Sequence, residues 1–127
     1  MKICVSATDK NLNAMVDQRF GRSKYFIIVD PDSMNFESVS NKSFMASGGA
    51  GIQAAQLVIN KGVKIVITGN VGPNAFQTLS AAGIMVFTGL DGTVKEAIEK
   101  HKKGELKVIK NPNVNSHFGM RANGKKF

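Results

Sequence analysis

The chain has 127 residues, of which 43% are hydrophobic, and this size and composition fit one compact domain with its own core. Its single cysteine, Cys4, excludes internal disulfides and a thiolate cage for a metal cluster within one chain, and fits an expected cytoplasmic location. The net charge of +8 lies mostly in residues 100–127, which hold eight basic residues and one acidic residue. No apolar run approaches the roughly 20 residues of a membrane span, and the chain opens with a strand-like run rather than a signal peptide.

The hydrophobic pattern predicts three strands at the start of the chain, followed by helices that alternate with strands. Runs that are apolar or alternate in polarity predict strands at residues 2–6, 24–30, 35–42, 63–68 and 84–88, with the third at a sheet edge. Helical spacing predicts helices at residues 51–60, 73–82 and 93–103, each followed by a glycine. Residues 7–20 read as an irregular loop, and residues 105–110 as a short strand or a turn.

This order of elements predicts an α/β fold. Helices that connect strands imply parallel neighbours with right-handed crossovers, so we expect a five-stranded mixed sheet in the order 3-2-1-4-5. Strand 2 would be antiparallel and helices would cover both faces, as in the ribonuclease H-like motif. Residues 1–110 would form the domain, and residues 111–127 a basic, disordered tail.

Such a topology brings distant segments to one edge of the sheet. The loop after strand 1 and two glycine-containing turns would emerge together, where the strand order changes direction. The first turn, Gly48-Gly49-Ala50-Gly51, precedes a helix, whose free N–H groups and positive dipole end favour an anion. A tight loop that needs a positive φ explains these glycines equally well. No Gly-Lys-Ser/Thr follows and no dinucleotide fingerprint is formed, so we expect no nucleotide.

The second turn, Asn70-Val71-Gly72-Pro73-Asn74, combines hydrogen-bonding amides with a proline at the first helical position. Ordinary helix capping accounts for the proline, but less well for two asparagines. Two of the three arginines flank Phe20-Gly21 in the loop after strand 1, and arginine suits the recognition of anions, although a solvated loop is the alternative. The candidate binding residues are Arg19, Arg22, Gly48, Gly49, Gly51, Asn70, Gly72 and Asn74.

The remaining reactive residues favour no catalytic chemistry. Cys4 reads as a core residue, His101 lies at a basic helix end, and His117 lies in the tail, where solvation is more common than metal ligation. No serine or cysteine triad and no cluster of carboxylates for phosphodiester cleavage can be assembled. We therefore expect neither a catalytic residue nor a side-chain metal site, and a protein that is not an enzyme.

With these motifs in hand, the chain resembles the dinitrogenase iron-molybdenum cofactor biosynthesis family over about residues 1–110. The resemblance rests on Met1-Lys2-Ile3, Arg19-Phe20-Gly21-Arg22, Ser47-Gly48-Gly49-Ala50-Gly51 and Gly72-Pro73-Asn74-Ala75. It implies a ribonuclease H-like fold and a small, orange-protein-like carrier that holds an iron-molybdenum or other metal-sulfur cluster, or its precursor, without covalent ligands. A cluster-delivery or acceptor protein would then be a partner. The alternative is a module that binds nucleic acid or protein through its basic C-terminal end, and the scarcity of aromatic residues there disfavours nucleic acid.

Overall fold

The computed structural model describes residues 1–42, 48–89 and 91–113, and within them the chain forms one mixed six-stranded sheet with three helices. The strands are β1 (Ile3–Ala7), β2 (Tyr25–Val29), β3 (Phe36–Ser40), β4 (Ile65–Ile67), β5 (Met85–Thr88) and β6 (Lys107–Ile109). The helices are α1 (Ala50–Asn60), α2 (Pro73–Ala81) and α3 (Val94–Lys102). The strand order is β3-β2-β1-β4-β5-β6, with β1, β4 and β5 parallel to one another.

The prediction of five strands is wrong, because Lys107–Ile109 forms a sixth strand antiparallel to β5. This strand has three residues and begins with a lysine, so its hydrophobic pattern is too short to distinguish a strand from a turn. The buried side chain of Leu106 anchors it, and Val108 pairs with Phe87. The order of the first five strands, the antiparallel β2 and the edge position of β3 are confirmed.

Alternate residues of the central strands point into two separate cores. The core on the side of α1 and α2 contains Cys4 and Val66 of the sheet, packed with Val58 of α1 and Leu79 of α2. The core on the side of α3 contains their strand neighbours, such as Val5, packed with helix residues of α3. Helices therefore cover both faces, as predicted, and Cys4 is a fully buried core residue. Its burial raises the pKa of the thiol, because an apolar environment disfavours the thiolate.

The parallel strands direct the functional candidates to one edge of the sheet. β1 and β4 are parallel, so the loop that follows Ala7 and the turn that follows Ile67 leave from the same side. The strands predicted at residues 63–68 and 84–88 are shorter in the structure, at Ile65–Ile67 and Met85–Thr88. None of the helices in the described ranges is long and apolar enough to cross a bilayer. This edge carries the candidate site.

Candidate anion-binding site

The arginine-containing loop is hydrogen-bonded to the turn between β4 and α2. The Phe20 N–H donates to the carbonyl oxygen of Asn70 at 3.1 Å, and the Asn70 N–H donates to that of Gln18 at 2.6 Å. Gly69 makes this approach possible, since an added β-carbon would lie 2.7 Å from both the Cα and the carbonyl oxygen of Gln18. Arg19 and Asn70 consequently face each other in a single parallel bridge.

The same loop also lies against the start of α1. A β-carbon added to Gly21 would lie 3.0 Å from the Cα of Gly51, and one added to Gly51 would lie 3.1 Å from the Cβ of Ala75 in α2. The side-chain amide of Asn41 holds Gly21 in place by donating to its carbonyl oxygen at 3.1 Å. The first turns of α1 and α2 therefore lie side by side, next to the loop that carries Arg19.

Neither of these two helices caps its own N-terminus. The N-cap residues are Gly49 and Gly72, neither start has a side-chain cap hydrogen bond, and neither first turn contains an acidic residue. Within the described ranges, the first-turn N–H groups of both helices have no hydrogen-bond acceptor in the protein. These donors belong to Ala50, Gly51, Ile52, Asn74 and Ala75. Adjacent helix starts with free N–H groups form a region of positive potential that suits an anion.

Asp17, which sequence reasoning missed, positions Arg19. One carboxylate oxygen of Asp17 accepts the Arg19 N–H at 3.0 Å and lies 3.7 Å from its Nε. The Asp17 side chain is 11% exposed, whereas that of Arg19 is 49% exposed. The more buried Asp17 therefore orients the more exposed Arg19. The aspartate lies near Nε only, and the guanidinium has four further N–H donors. Its place two residues before an arginine is the only sequence signal of this role.

A buried polar network connects Asp17 to the ends of the parallel strands. The Ser6 hydroxyl at the end of β1 donates to the carbonyl oxygen of Asp17 at 2.6 Å and lies 2.7 Å from the Thr68 hydroxyl, just after β4. The Asp17 N–H donates to the carbonyl oxygen of Ser6 at 2.8 Å. Because both hydroxyls are hydrogen-bonded, this network links the arginine loop to the ends of β1 and β4 and supports it there.

The structure gives local reasons for two of the candidate glycines. Gly49 has a φ of 72°, which favours glycine, and Gly51 is confined between Gly21 and Ala75. Gly48 is exposed, and a β-carbon there would meet nothing within 4 Å. Arg22 is half-buried within the same loop. Contacts with an anion by any of these residues remain a prediction.

Gly72 and Asn74 flank Pro73 at the start of α2, and Asn74 is exposed. The site therefore offers backbone and guanidinium N–H donors. Within the described residues, no group of three or more His, Cys, Asp or Glu side chains could hold a metal ion. Of the two histidines, His101 packs in a T-shaped contact against Phe87, with a distance of 4.8 Å between the ring centroids. His117 lies outside the described residues. The donors suit the outer atoms of an anion rather than direct ligation of a metal.

The fold and these donors define a small α/β protein with a candidate anion-binding edge, and sequence comparison identifies its family. The chain belongs to the dinitrogenase iron-molybdenum cofactor family, whose sequence model matches residues 1–104. An uncharacterized protein of Methanocaldococcus jannaschii is 30% identical over 97 residues, which are 74% of this chain and 82% of that protein.

Two solved structures of similar sequence share the fold. The apo form of the orange protein from Desulfovibrio gigas is 42% identical with a TM-score of 0.86, covering 89% of this chain and 96% of that one. An NMR structure of a Thermotoga protein of the DUF35 family is 36% identical with a TM-score of 0.74, covering 97% and 98%.

Proposed function

We propose that this protein is a non-catalytic carrier for an anionic metal-sulfur cluster of the iron-molybdenum type, or for a precursor of one. The observation that supports this most directly is the pair of adjacent, uncapped helix starts beside Arg19. Membership in a family named for the iron-molybdenum cofactor supports the identity of the cargo. The ribonuclease H-like label and a cytoplasmic location belong to the same proposal.

The donors of the site suit the surface of such a cluster. Sulfide and oxide atoms on an anionic cluster accept hydrogen bonds from N–H groups, and helix dipoles and a guanidinium add favourable electrostatics. The described residues offer no thiolate at this edge, since Cys4 is buried in the core. The cluster would therefore be held by hydrogen bonds and charge, without a covalent bond to the protein. Such binding is reversible, and it permits transfer to an acceptor protein.

Tetrathiomolybdate, a dianion with four sulfur atoms, is a suitable probe. Wild-type protein incubated with it without oxygen should retain molybdenum and a visible absorption band through gel filtration. Arg19→Gln should weaken this binding about tenfold, because it removes one charge-assisted contact at a half-exposed position. The measurements are a titration by absorbance and the molybdenum content of the eluted protein.

Lys64→Gln is the matched control, since it also removes one positive charge but lies just before β4, at the opposite end of that strand. It should bind the probe as the wild type does. If the wild type retains no molybdenum, the proposed cargo is wrong. If the two variants lose binding equally, only net charge matters and the proposed site is wrong. The alternative of a binding module acting through the basic C-terminal end stays a prediction.

A further inference from the structure

Asn113 makes three hydrogen bonds to the turn between β4 and α2. Its side-chain oxygen accepts the Val71 N–H at 2.7 Å, and its side-chain amide donates to the carbonyl oxygen of Gly69 at 2.9 Å. Its own N–H donates to the carbonyl oxygen of Val71 at 3.1 Å. An exposed residue four positions beyond the last strand therefore holds both backbone groups of Val71 and one of Gly69.

These bonds hold the turn from the side opposite to the arginine loop. On one side, Asn70 exchanges backbone hydrogen bonds with Gln18 and Phe20. On the other, Asn113 binds the residues immediately before and after Asn70, and the Thr88 hydroxyl donates to the carbonyl oxygen of Gly69 at 3.0 Å. The backbone direction of this turn sets where the first N–H groups of α2 point. Asn113 thus acts on donors of the candidate site without belonging to the loop that carries Arg19.

We propose that Asn113 is a positioning residue for the anion site, fixing the turn at residues 69–72 so that the start of α2 presents its N–H groups to the cargo. This inference rests on the proposed function. It also goes beyond the family match, because Asn113 lies outside residues 1–104. A pre-positioned turn binds more tightly than a mobile one, since less conformational freedom is lost on binding.

Asn113→Ala in the full-length protein tests the inference, with Asn111→Ala as the matched control. Both variants replace an exposed asparagine of the same segment, but no hydrogen bond of Asn111 occurs within the described residues. Asn113→Ala should weaken tetrathiomolybdate binding about fivefold and shift the absorption band of the bound probe. A fivefold loss corresponds to the net contribution of about one hydrogen bond. Asn111→Ala should match the wild type.

Hydrogen exchange of the wild-type protein separates positioning from a purely structural role. Binding linkage requires that if the Asn113 contacts favour cargo, cargo must in turn favour those contacts. Exchange of the Val71 N–H should therefore slow several-fold when the probe is added. The Asp30 N–H, which donates to Asn35 at 2.9 Å at the other end of the sheet, is the reference and should not change.

The outcomes distinguish this inference from the proposed function. If the wild type and Asn111→Ala bind the probe and Asn113→Ala binds it equally well, the positioning role is wrong while the carrier function stands. The same conclusion follows if Val71 exchange is unaffected by the probe. If the wild type does not bind the probe, both proposals are wrong. Loss of thermal stability in Asn113→Ala with unchanged affinity and band position would indicate a structural residue only, and would also overturn the inference.

Discussion

The start of α3 is capped by side chains, whereas the starts of α1 and α2 are not. At α3, the Thr93 hydroxyl accepts the Glu96 N–H at 3.1 Å, and the Glu96 carboxylate accepts the Thr93 N–H at 2.8 Å. This capping box satisfies the helix start with its own side chains and adds a negative charge near the positive dipole end. At α1 and α2, glycine occupies the N-cap and no acidic residue follows in the first turn.

The difference shows that helix starts in this protein are not uniformly optimised for stability. A side-chain cap is worth about 1 kcal/mol relative to alanine but only about a few tenths relative to glycine, and the φ of 72° at Gly49 would strain a serine or aspartate there. At α1 and α2 no side chain supplies this gain, and the surrounding residues instead bring the two uncapped starts into contact. A lower stability at a helix start is expected where its free N–H groups bind a ligand.

The largest expected effect concerns the contact that brings the uncapped starts to the arginine loop. Gly69→Ala would place a β-carbon 2.7 Å from backbone atoms of Gln18, which cannot move as a flexible side chain can. The hydrogen bonds of Asn70 with Gln18 and Phe20 would be strained or lost. We expect the free energy of unfolding to fall by about 3 kcal/mol, from overpacking and lost hydrogen bonds together. Urea unfolding followed by circular dichroism measures it.

Gly48→Ala is the control for this substitution, because a β-carbon there would meet nothing within 4 Å. Its free energy of unfolding should stay within about 0.5 kcal/mol of the wild type. Equal losses in the two variants would mean that the turn adapts and that the uncapped starts are not fixed by the loop.

The sequence was sufficient for the features that depend on repeating local patterns. The apolar run at residues 24–30 and the glycine after each helix predicted the strands and helices, and short crossovers then limited the strand order. Proline at position 73 correctly indicated the first residue of α2. These signals are local, so each can be read from a few consecutive residues.

The parts that could not be predicted depend on single long-range contacts. Asn113 carries no pattern that distinguishes it from other polar residues, and its role arises only where distant segments meet. Asp17 contacts Arg19 locally, but its link to the ends of β1 and β4 through Ser6 and Thr68 also depends on segments far apart in the sequence. The glycine at position 51 is predicted to bind a ligand, and the structure gives it a second, packing reason, because it lies between Gly21 and Ala75. A glycine required by packing and one required by a ligand look identical in a single sequence.

A smaller effect tests whether the absence of an acidic residue from the first turn of α1 favours anion binding. Ile52 occupies the position in α1 that Glu96 occupies in α3, and it is 36% exposed. Ile52→Glu should raise the free energy of unfolding by about 0.5 kcal/mol, since the carboxylate complements the helix dipole. The same charge should weaken tetrathiomolybdate binding several-fold. Thermal unfolding and the absorbance titration measure the two effects.

Ile52→Gln is the control, because it makes the position polar and helix-compatible without adding a charge. It should show neither the gain in stability nor the loss of binding. If Ile52→Glu binds the probe as the wild type does, the start of α1 is not part of the anion site.

The smallest expected effect concerns the pH dependence of the capped start. The hydrogen bond from the Thr93 backbone to Glu96 lowers the pKa of that carboxyl below its ordinary value of 4.5, and the Thr93 hydroxyl and Lys100 act in the same direction. The unfolded chain then binds a proton more readily than the folded one, so this stabilisation is complete above pH 4.5 and is lost as the pH falls through the lowered folded value. Glu96→Gln keeps an oxygen that can accept the Thr93 N–H but removes the titration.

The stability difference between the wild type and Glu96→Gln should therefore be largest near pH 7 and shrink below pH 4.5, as followed by thermal unfolding across that range. The titration of His101 does not affect this stability difference. Burial lowers its pKa, so stability declines as the pH falls below 6.5, but it does so in both proteins and cancels in their difference. A difference that stays constant with pH would show that the charge of Glu96 does not contribute to stability. The contrast between the helix starts would then be one of hydrogen bonding alone, and the case for an electrostatic attraction of anions to α1 and α2 would be correspondingly weaker.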